Sequence, residues 1–400
     1  MTRLDAVEAR LTESLETQPM LDRVLGWAAL NSGTANLQGL AAMADRLADA
    51  FSALPGSVEL VDPAPVESIG ADGGVQQVAY GRHLVVRVRP DAERRVLLTG
   101  HMDTVFAADH PFQHCEWIDS TTLRGPGTAD MKGGIALMLA GLAAWEATGP
   151  KLGYDVLINS DEETGSLSSD ALIRTLAQGK FAALTYEPSL PGGVMARGRP
   201  GSGNFSAIVQ GRPAHAGRNP QDGRNAIVAA ADLALRLKRE ARGTLGVNPS
   251  RIDGGGPPNI VPELAILRFN IRPAGPGELA EAQALIDNLI RAVAAEHEVT
   301  IAVHGGFGRP PKAISRETEG LFALVAEAAA DLGESLGWAN TGGVCDGNNI
   351  AASGVPVIDT MGACGGDIHS PQEFLLVDSL VRRAGLTALV LHRLNEGRAF

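Results

Sequence analysis

Strand-like and helical stretches alternate along the first ~195 residues of this chain, and that alternation limits the folds open to it. Leu21–Leu54 has helical periodicity, while Arg82–Arg89 and Arg95–Leu98 are rich in β-formers. Gly133–Trp145 reads as an apolar helix, Tyr154–Asn159 as a strand, Ser169–Gln178 as a helix and Ala182–Tyr186 as a strand. Near the other end, Leu321–Leu332 reads as a helix, Val355–Asp359 as a strand and Ser379–Leu394 as a closing helix. The order predicts a mixed α/β sheet with helices on both faces.

The middle of the chain follows another rhythm. Gly203–Val209, Thr244–Asp253, Pro262–Ile271 and Val299–Val303 read as strands, and Gly223–Arg242 and Pro276–Glu296 as helices. The order β-α-β-β-α-β is a ferredoxin-like unit, which buries a core of its own. A chain of 400 residues has room for two or three domains. The expected division is 1–197, an inserted α+β domain at 198–306, and 307–400 returning to the first domain. Gly198–Pro200 and Gly305–Pro311 would be the hinges.

A formal net charge of −12 argues against nucleic acid and anionic membranes as partners. Met1–Met20 lacks the apolar run of a signal peptide. Gly133–Trp145 is shorter than the about 20 residues that span a bilayer. The three cysteines, Cys115, Cys345 and Cys364, show no Cys-x-x-Cys spacing, which fits a reducing, cytoplasmic setting.

Five imidazole or acidic residues fall just beyond a strand or at the start of a helix. Arg95–Leu98 runs into Gly100-His101-Met102-Asp103, and the loop Arg124–Asp130 ends where a helix begins. Tyr154–Asn159 is followed by Asp161-Glu162-Glu163, and Ala182–Tyr186 stops at Glu187. Val355–Asp359 leads through a Gly-rich loop to His369. Open α/β sheets bind ligands outside the carboxyl ends of their strands, so these residues can converge. Alone, each has an ordinary role as a cap, turn or solvated loop residue. Together, two imidazoles and three carboxylates suit divalent metal, zinc first and cobalt or manganese next. Three carboxylates bring −3 and two dications +4, and one hydroxide neutralises the remaining +1.

These segments resemble the zinc aminoacylase/carboxypeptidase superfamily, which includes carboxypeptidase G, acetylornithine deacetylase and succinyl-diaminopimelate desuccinylase. The resemblance lies in Gly100–Val105, Gly125–Gly134, Asp161–Gly165, Tyr186-Glu187-Pro188 and Ile368–Pro371. It extends to Gly211–Gly217 and Asn259–Pro262 in the middle segment, and covers about residues 20–395. Gly306–Pro310 and Thr341–Gly347 draw it toward the carboxypeptidase G (glutamate carboxypeptidase) branch.

The resemblance implies two zinc ions bridged by Asp130, with His101 and Glu187 completing one and Glu163 and His369 the other. It implies Glu162 as general base, with Asp103 fixing the ring of His101. His215 would stabilise the oxyanion from the inserted domain, often that of a partner subunit, with Asn259 beside it. Arg309 and Arg272 would bind a substrate carboxylate, and Thr341–Asp346 would line the pocket. A homodimer would form through the helix Gly223–Arg242 and the adjacent strand edge.

Two departures stand out. Pro188–Ala196 holds no lysine or arginine, and the pocket loop carries Val344-Cys345 and Asn348-Asn349. Both weaken the case for strict glutamate preference. The expected activity is hydrolysis of an amide whose amine side carries a free α-carboxylate, in small peptides or N-acyl amino acids. The alternatives are a deacylase for one metabolite such as acetylornithine, a two-metal phosphoesterase, and a binding descendant without turnover.

Overall fold

The computed structural model describes residues 4–398 and 400, so the first three residues of the Met1–Met20 segment lie outside it. A six-stranded mixed sheet runs in the order Ser57–Val61, His83–Val88, Gly153–Asn159, Arg95–His101, Ala182–Thr185, Val357–Ile358. The first two strands are antiparallel to their neighbours, and the last four are parallel to one another.

Side-chain alternation along these strands feeds two cores. Val86, Leu98, Val156 and Leu184 pack with Leu40, Leu137 and Leu389 on one face. Val85, Leu97, Leu157 and Ala183 pack with Ile173, Leu176 and Ile350 on the other. Helices therefore cover both faces, as the alternation predicts. The helix Gly133–Glu146 is apolar all round because it lies inside, against the closing helix Ser379–Asn395. Its Gly134 lets the helix approach the strand end: a Cβ there would sit 2.3 Å from the carbonyl oxygen of Tyr186.

The middle segment forms a four-stranded antiparallel sheet in the order Leu245–Gly254, Leu264–Pro273, Ser202–Gln210, Thr300–Arg309. Helices Ala226–Arg239 and Pro276–His297 cover it with a separate core that includes Val209, Leu233, Leu267, Phe269 and Ile286. This is the ferredoxin-like arrangement.

Two expectations change. The periodic stretch Leu21–Leu54 is two helices, Thr17–Ala28 and Leu37–Phe51, broken where Asn36 caps the second by accepting the Gly39 N–H at 3.1 Å. The strand Thr300–Arg309 continues through the expected hinge Gly305–Pro311 as far as Arg309, paired with Ser202. A glycine-rich stretch reads as a loop, but here it follows a strand with no room beside it. Gly305 has φ +100°, and a Cβ there would lie 2.2 Å from the carbonyl oxygen of Asn204.

Where the chain passes between the sheets, both crossings are tied down. Lys312 N–H donates to the Arg199 carbonyl at 3.0 Å. Asn348 Nδ2 donates to the carbonyls of Pro200 and Pro310 at 2.9 and 2.8 Å. Arg199 Nε and Lys312 Nζ converge on buried Asp359 Oδ2 at 2.5 and 3.1 Å. Among the described residues no helix is long and apolar enough to cross a membrane.

Candidate active site

Three adjacent parallel strands deliver the first side chains. His101 ends the central strand in register with Asn159, three and four residues before Glu162 and Glu163. On the other side Thr99 is in register with Thr185, two residues before Glu187. Asp130 enters from the turn ahead of the helix Gly133–Glu146, and His369 from the loop before Phe374–Leu376. His101 Nε2 lies 3.0 Å from Asp130 Oδ1 and 4.0 Å from Glu187 Oε1. His369 Nε2 lies 3.3 Å from Asp130 Oδ2 and 3.1 Å from Glu163 Oε2. Two candidate cation groups result, His101–Asp130–Glu187 and Asp130–Glu163–His369, and Asp130 belongs to both.

The electrostatics of these side chains favour added positive charge. Burial, then the charge of Asp130, pushes Glu163 up to about 8. Burial and the charge of Glu162 hold Glu187 well above the usual carboxyl range. Burial opposes ionisation of Asp130, but its bonds to His101 and His369 keep it below the ordinary value. Hydrogen bonds to Asp130 and Glu163 push His369 up to about 11. Burial works against a charged His101, and its bonds to Asp103 and Asp130 outweigh that and raise it. Carboxylates that resist sharing a small volume, with imidazoles between them, form a donor set that fits dications.

Asp103 does more than orient a ring. The Nδ1–H of His101 donates to the Asp103 backbone carbonyl at 3.0 Å, leaving Nε2 for the site. The Asp103 carboxylate accepts the N–H groups of Glu162 and Glu163, each at 3.2 Å, and the Thr34 hydroxyl at 2.7 Å. It fixes the turn that presents both glutamates.

Glu373 escaped the sequence reading. It is buried, and its carboxylate accepts the N–H groups of Gly127, Ala129 and Asp130 at 3.0–3.1 Å. Burial, then Asp130, pushes it up to about 7. The one signal in the sequence was a glutamate four residues after His369.

The two arginines differ. Arg309 is buried, with Nη1 on Glu162 Oε1 at 2.6 Å and Nη2 3.3 Å from Asp346 Oδ1. Arg272 is exposed and lines a cleft of about 1200 Å³ between the two sheet units. Its partners are neutral: Asn270 Oδ1 at 3.0 Å and the Gly342 carbonyl at 2.8 Å. Glu162, Glu163, Arg309 and His369 open onto the same cleft. Of the pocket loop, only Gly343 and Val344 line it. Asn348 and Asn349 are buried and hold the crossing strands through the carbonyls of Pro200, Pro310 and Gly308.

His215 and Asn259 sit together away from that cleft. An isolated bridge pairs His215 with Ile260, and the Ala216 N–H donates to the Asn259 carbonyl at 2.9 Å. His215 Nδ1 accepts the N–H groups of Gly217 and Arg218, which leaves the Nε2–H directed outward as a donor.

The profile of peptidase family M20/M25/M40 matches residues 97–393. Carboxypeptidase G2 of Pseudomonas sp. (strain RS-16) is 31% identical over 337 residues, covering 80% of this chain and 79% of that protein. A succinyl-diaminopimelate desuccinylase of Methylobacterium radiotolerans is 29% identical over 318 residues, covering 74% and 80%. The crystal structure of a tripeptidase from Staphylococcus aureus shares the fold with a TM-score of 0.74 at 24% identity, covering 96% of this chain and 99% of that one. By the profile match over residues 97–393 and the 31% identical relative, this chain belongs to peptidase family M20/M25/M40, as a metal-dependent hydrolase acting on amide bonds.

Proposed function

We propose that this protein is a two-zinc hydrolase that cleaves an amide bond on the acyl side of an amino acid with a free α-carboxylate. Its substrates are small peptides or N-acyl amino acids. The observation that carries the reading is Asp130, whose two oxygens each face a different histidine at 3.0 and 3.3 Å. Cations bound there would polarise the scissile carbonyl and make a water acidic enough to attack near neutral pH.

Everything else falls to the chain. Glu162 is the general base: it takes a proton from the attacking water and delivers it to the leaving amine nitrogen. Arg272 receives the α-carboxylate, because it lines the cleft and its observed partners leave its charge without a carboxylate. His215 supplies the Nε2–H that meets the developing oxyanion. Its place outside the cleft supports delivery from a second subunit. The exposed Val228 and Leu235, two helical turns apart on one face of Ala226–Arg239, support a homodimer through residues 198–306. That segment serves as lid, and 1–197 with 307–400 as the catalytic unit.

The test is a panel of N-acyl amino acids and dipeptides, each beside its C-terminal amide, assayed with and without chelator. The expected result is chelator-sensitive hydrolysis, fast for the free carboxylates and slow for their amides. Hydrolysis that ignores the carboxylate contradicts the substrate assignment.

A further inference from the structure

Resting on the reading of Arg272 as the hand for the α-carboxylate, we propose that the hairpin of residues 66–78 is a specificity-determining wall of the cleft, which receives an uncharged side chain of the leaving amino acid. Its strands, Val66–Ile69 and Val75–Val78, pair with each other and with no other strand among the described residues. The hairpin is rooted in the first unit, between Ser57–Val61 and His83–Val88 of the six-stranded sheet. Just before it, the Ala64 N–H donates to the Ser168 carbonyl at 3.2 Å, in the loop that follows Glu162 and Glu163.

From that root the hairpin crosses to the middle sheet. Alternation along Leu264–Pro273 turns Leu267, Phe269 and Ile271 to the helices, so Ile266, Arg268, Asn270 and Arg272 face the other way. Ile266 is nonetheless 0% exposed. Its neighbours explain why: Ile208 is its partner in register, and a Cβ on Gly73 at the hairpin tip would lie 3.5 Å from Ile208 Cγ2 and 3.4 Å from Leu264 Cδ1. Two side chains of the middle sheet then hold hairpin carbonyls. Arg268 Nη2 donates to Ile69 at 2.7 Å, and His304 Nε2 to Glu67 at 3.1 Å. The wall is fixed to both units.

The cleft runs from Arg272 and Gly343, near the chain crossings, to residues 65–69 of the hairpin side. Arg272 and Arg268 are four residues apart on one strand, roughly 13 Å. An amino acid with its carboxylate on Arg272 lies on this face, and a side chain of medium length extends toward the hairpin. The charges at that end are already paired. Arg268 Nε donates to Asp253 Oδ2 at 3.0 Å and Nη1 to Ser206 Oγ at 3.2 Å. The Glu67 carboxylate accepts Gln77 Nε2 at 3.0 Å from the other strand, and Gln77 does not line the cleft. Val66 and Ser68 alternate with Glu67 and so face the cleft. An ammonium or carboxylate brought there would lose water without gaining a partner. An uncharged side chain such as that of methionine meets no such penalty.

The experiment measures kcat/KM on the Nα-acetyl derivatives of glycine, methionine, glutamate, lysine and tryptophan. It compares wild type with Ser68→Trp, which fills the cleft at the wall, and Val66→Ala, which enlarges it. In wild type the methionine derivative is expected to lead those of glutamate and lysine by about 10-fold or more. Ser68→Trp should lower the methionine derivative by about 10-fold and leave glycine within about twofold. Val66→Ala should raise the tryptophan derivative relative to glycine. A preference for glutamate or lysine, or equal losses on glycine and methionine in Ser68→Trp, overturns the inference. If Ser68→Trp does not fold, Val66→Ala decides, and an unchanged ratio of tryptophan to glycine overturns it. No hydrolysis of any of the five by zinc-loaded wild type would instead remove the proposed function itself, and the wall's role with it.

Discussion

The carboxylate of Glu373 accepts the backbone N–H of Asp130 at 3.0 Å, and that bond ties the loop after His369 to the residue shared by both cation groups. The same side chain takes the N–H groups of Ala129 and Gly127, so three donors of one turn depend on it. Glu373→Gln keeps the size but puts an amide N–H against one of those donors. Zinc affinity is expected to fall about 10- to 100-fold, the usual effect of losing a partner just outside the ligands. Calorimetric titration of the metal-free variant checks it, and an unchanged affinity would make Glu373 a fold residue only.

Metal affinity is expected to depend on pH. Glu163 and His369, 3.1 Å apart, are both raised, so the pair holds a proton at neutral pH that a cation must displace. Zinc binding should release protons and weaken as pH falls from about 8 to about 6. Titration in buffers of different ionisation enthalpy counts those protons.

The same raised values fix the sign for the metal-free chain. Glu163 and Glu373, the latter near 7, stay protonated in the folded state above the 4.5 of a free glutamate. Their contribution to stability is present in full below that value and is lost as pH rises through the folded values. Chelated protein is expected to melt at lower temperature at about pH 8.5 than at about pH 5.5, and zinc to narrow the difference. Scanning calorimetry at both pH values, with and without zinc, tests it.

Arg272→Ala is expected to lower kcat/KM for free-carboxylate substrates by about 10- to 100-fold, the worth of a charge-assisted hydrogen bond. The C-terminal amides should change little. Steady-state kinetics on paired substrates reads the difference, and equal losses on both would place the carboxylate elsewhere.

Asp359 balances two buried cations, Arg199 and Lys312, at the strand crossings. Asp359→Ala leaves both without their acid and is expected to cost about 3–5 kcal/mol. Denaturant unfolding measures it. A loss below about 1 kcal/mol would mean that water reaches the pair.

Much of this was legible in the sequence because it rests on local signals. Alternating strands and helices gave the sheet covered on both faces, and the β-α-β-β-α-β order gave the second unit. His101, Asp130, Glu163, Glu187 and His369 were readable as strand-end residues, and the structure draws them into two groups around Asp130. Other features depend on distant partners. Glu373 acts through backbone N–H groups some 240 residues away in sequence, which no local pattern reports. Asn348 looked like a pocket residue because its loop resembles the family's pocket loop, yet its side chain is spent on two carbonyls of the crossing strands. Arg309 carried a motif that implied a carboxylate ligand, and its commitment to Glu162 and Asp346 appears only once three separate segments meet.

Reconstitution of chelator-stripped protein tests the central claim most directly. Zinc is added in steps while hydrolysis of an N-acyl amino acid and bound metal are followed together. The account predicts no turnover in the stripped protein and full turnover at about two zinc ions per chain, one for each group that contains Asp130. Full activity in the stripped protein, or saturation without Asp130 being required, would contradict it.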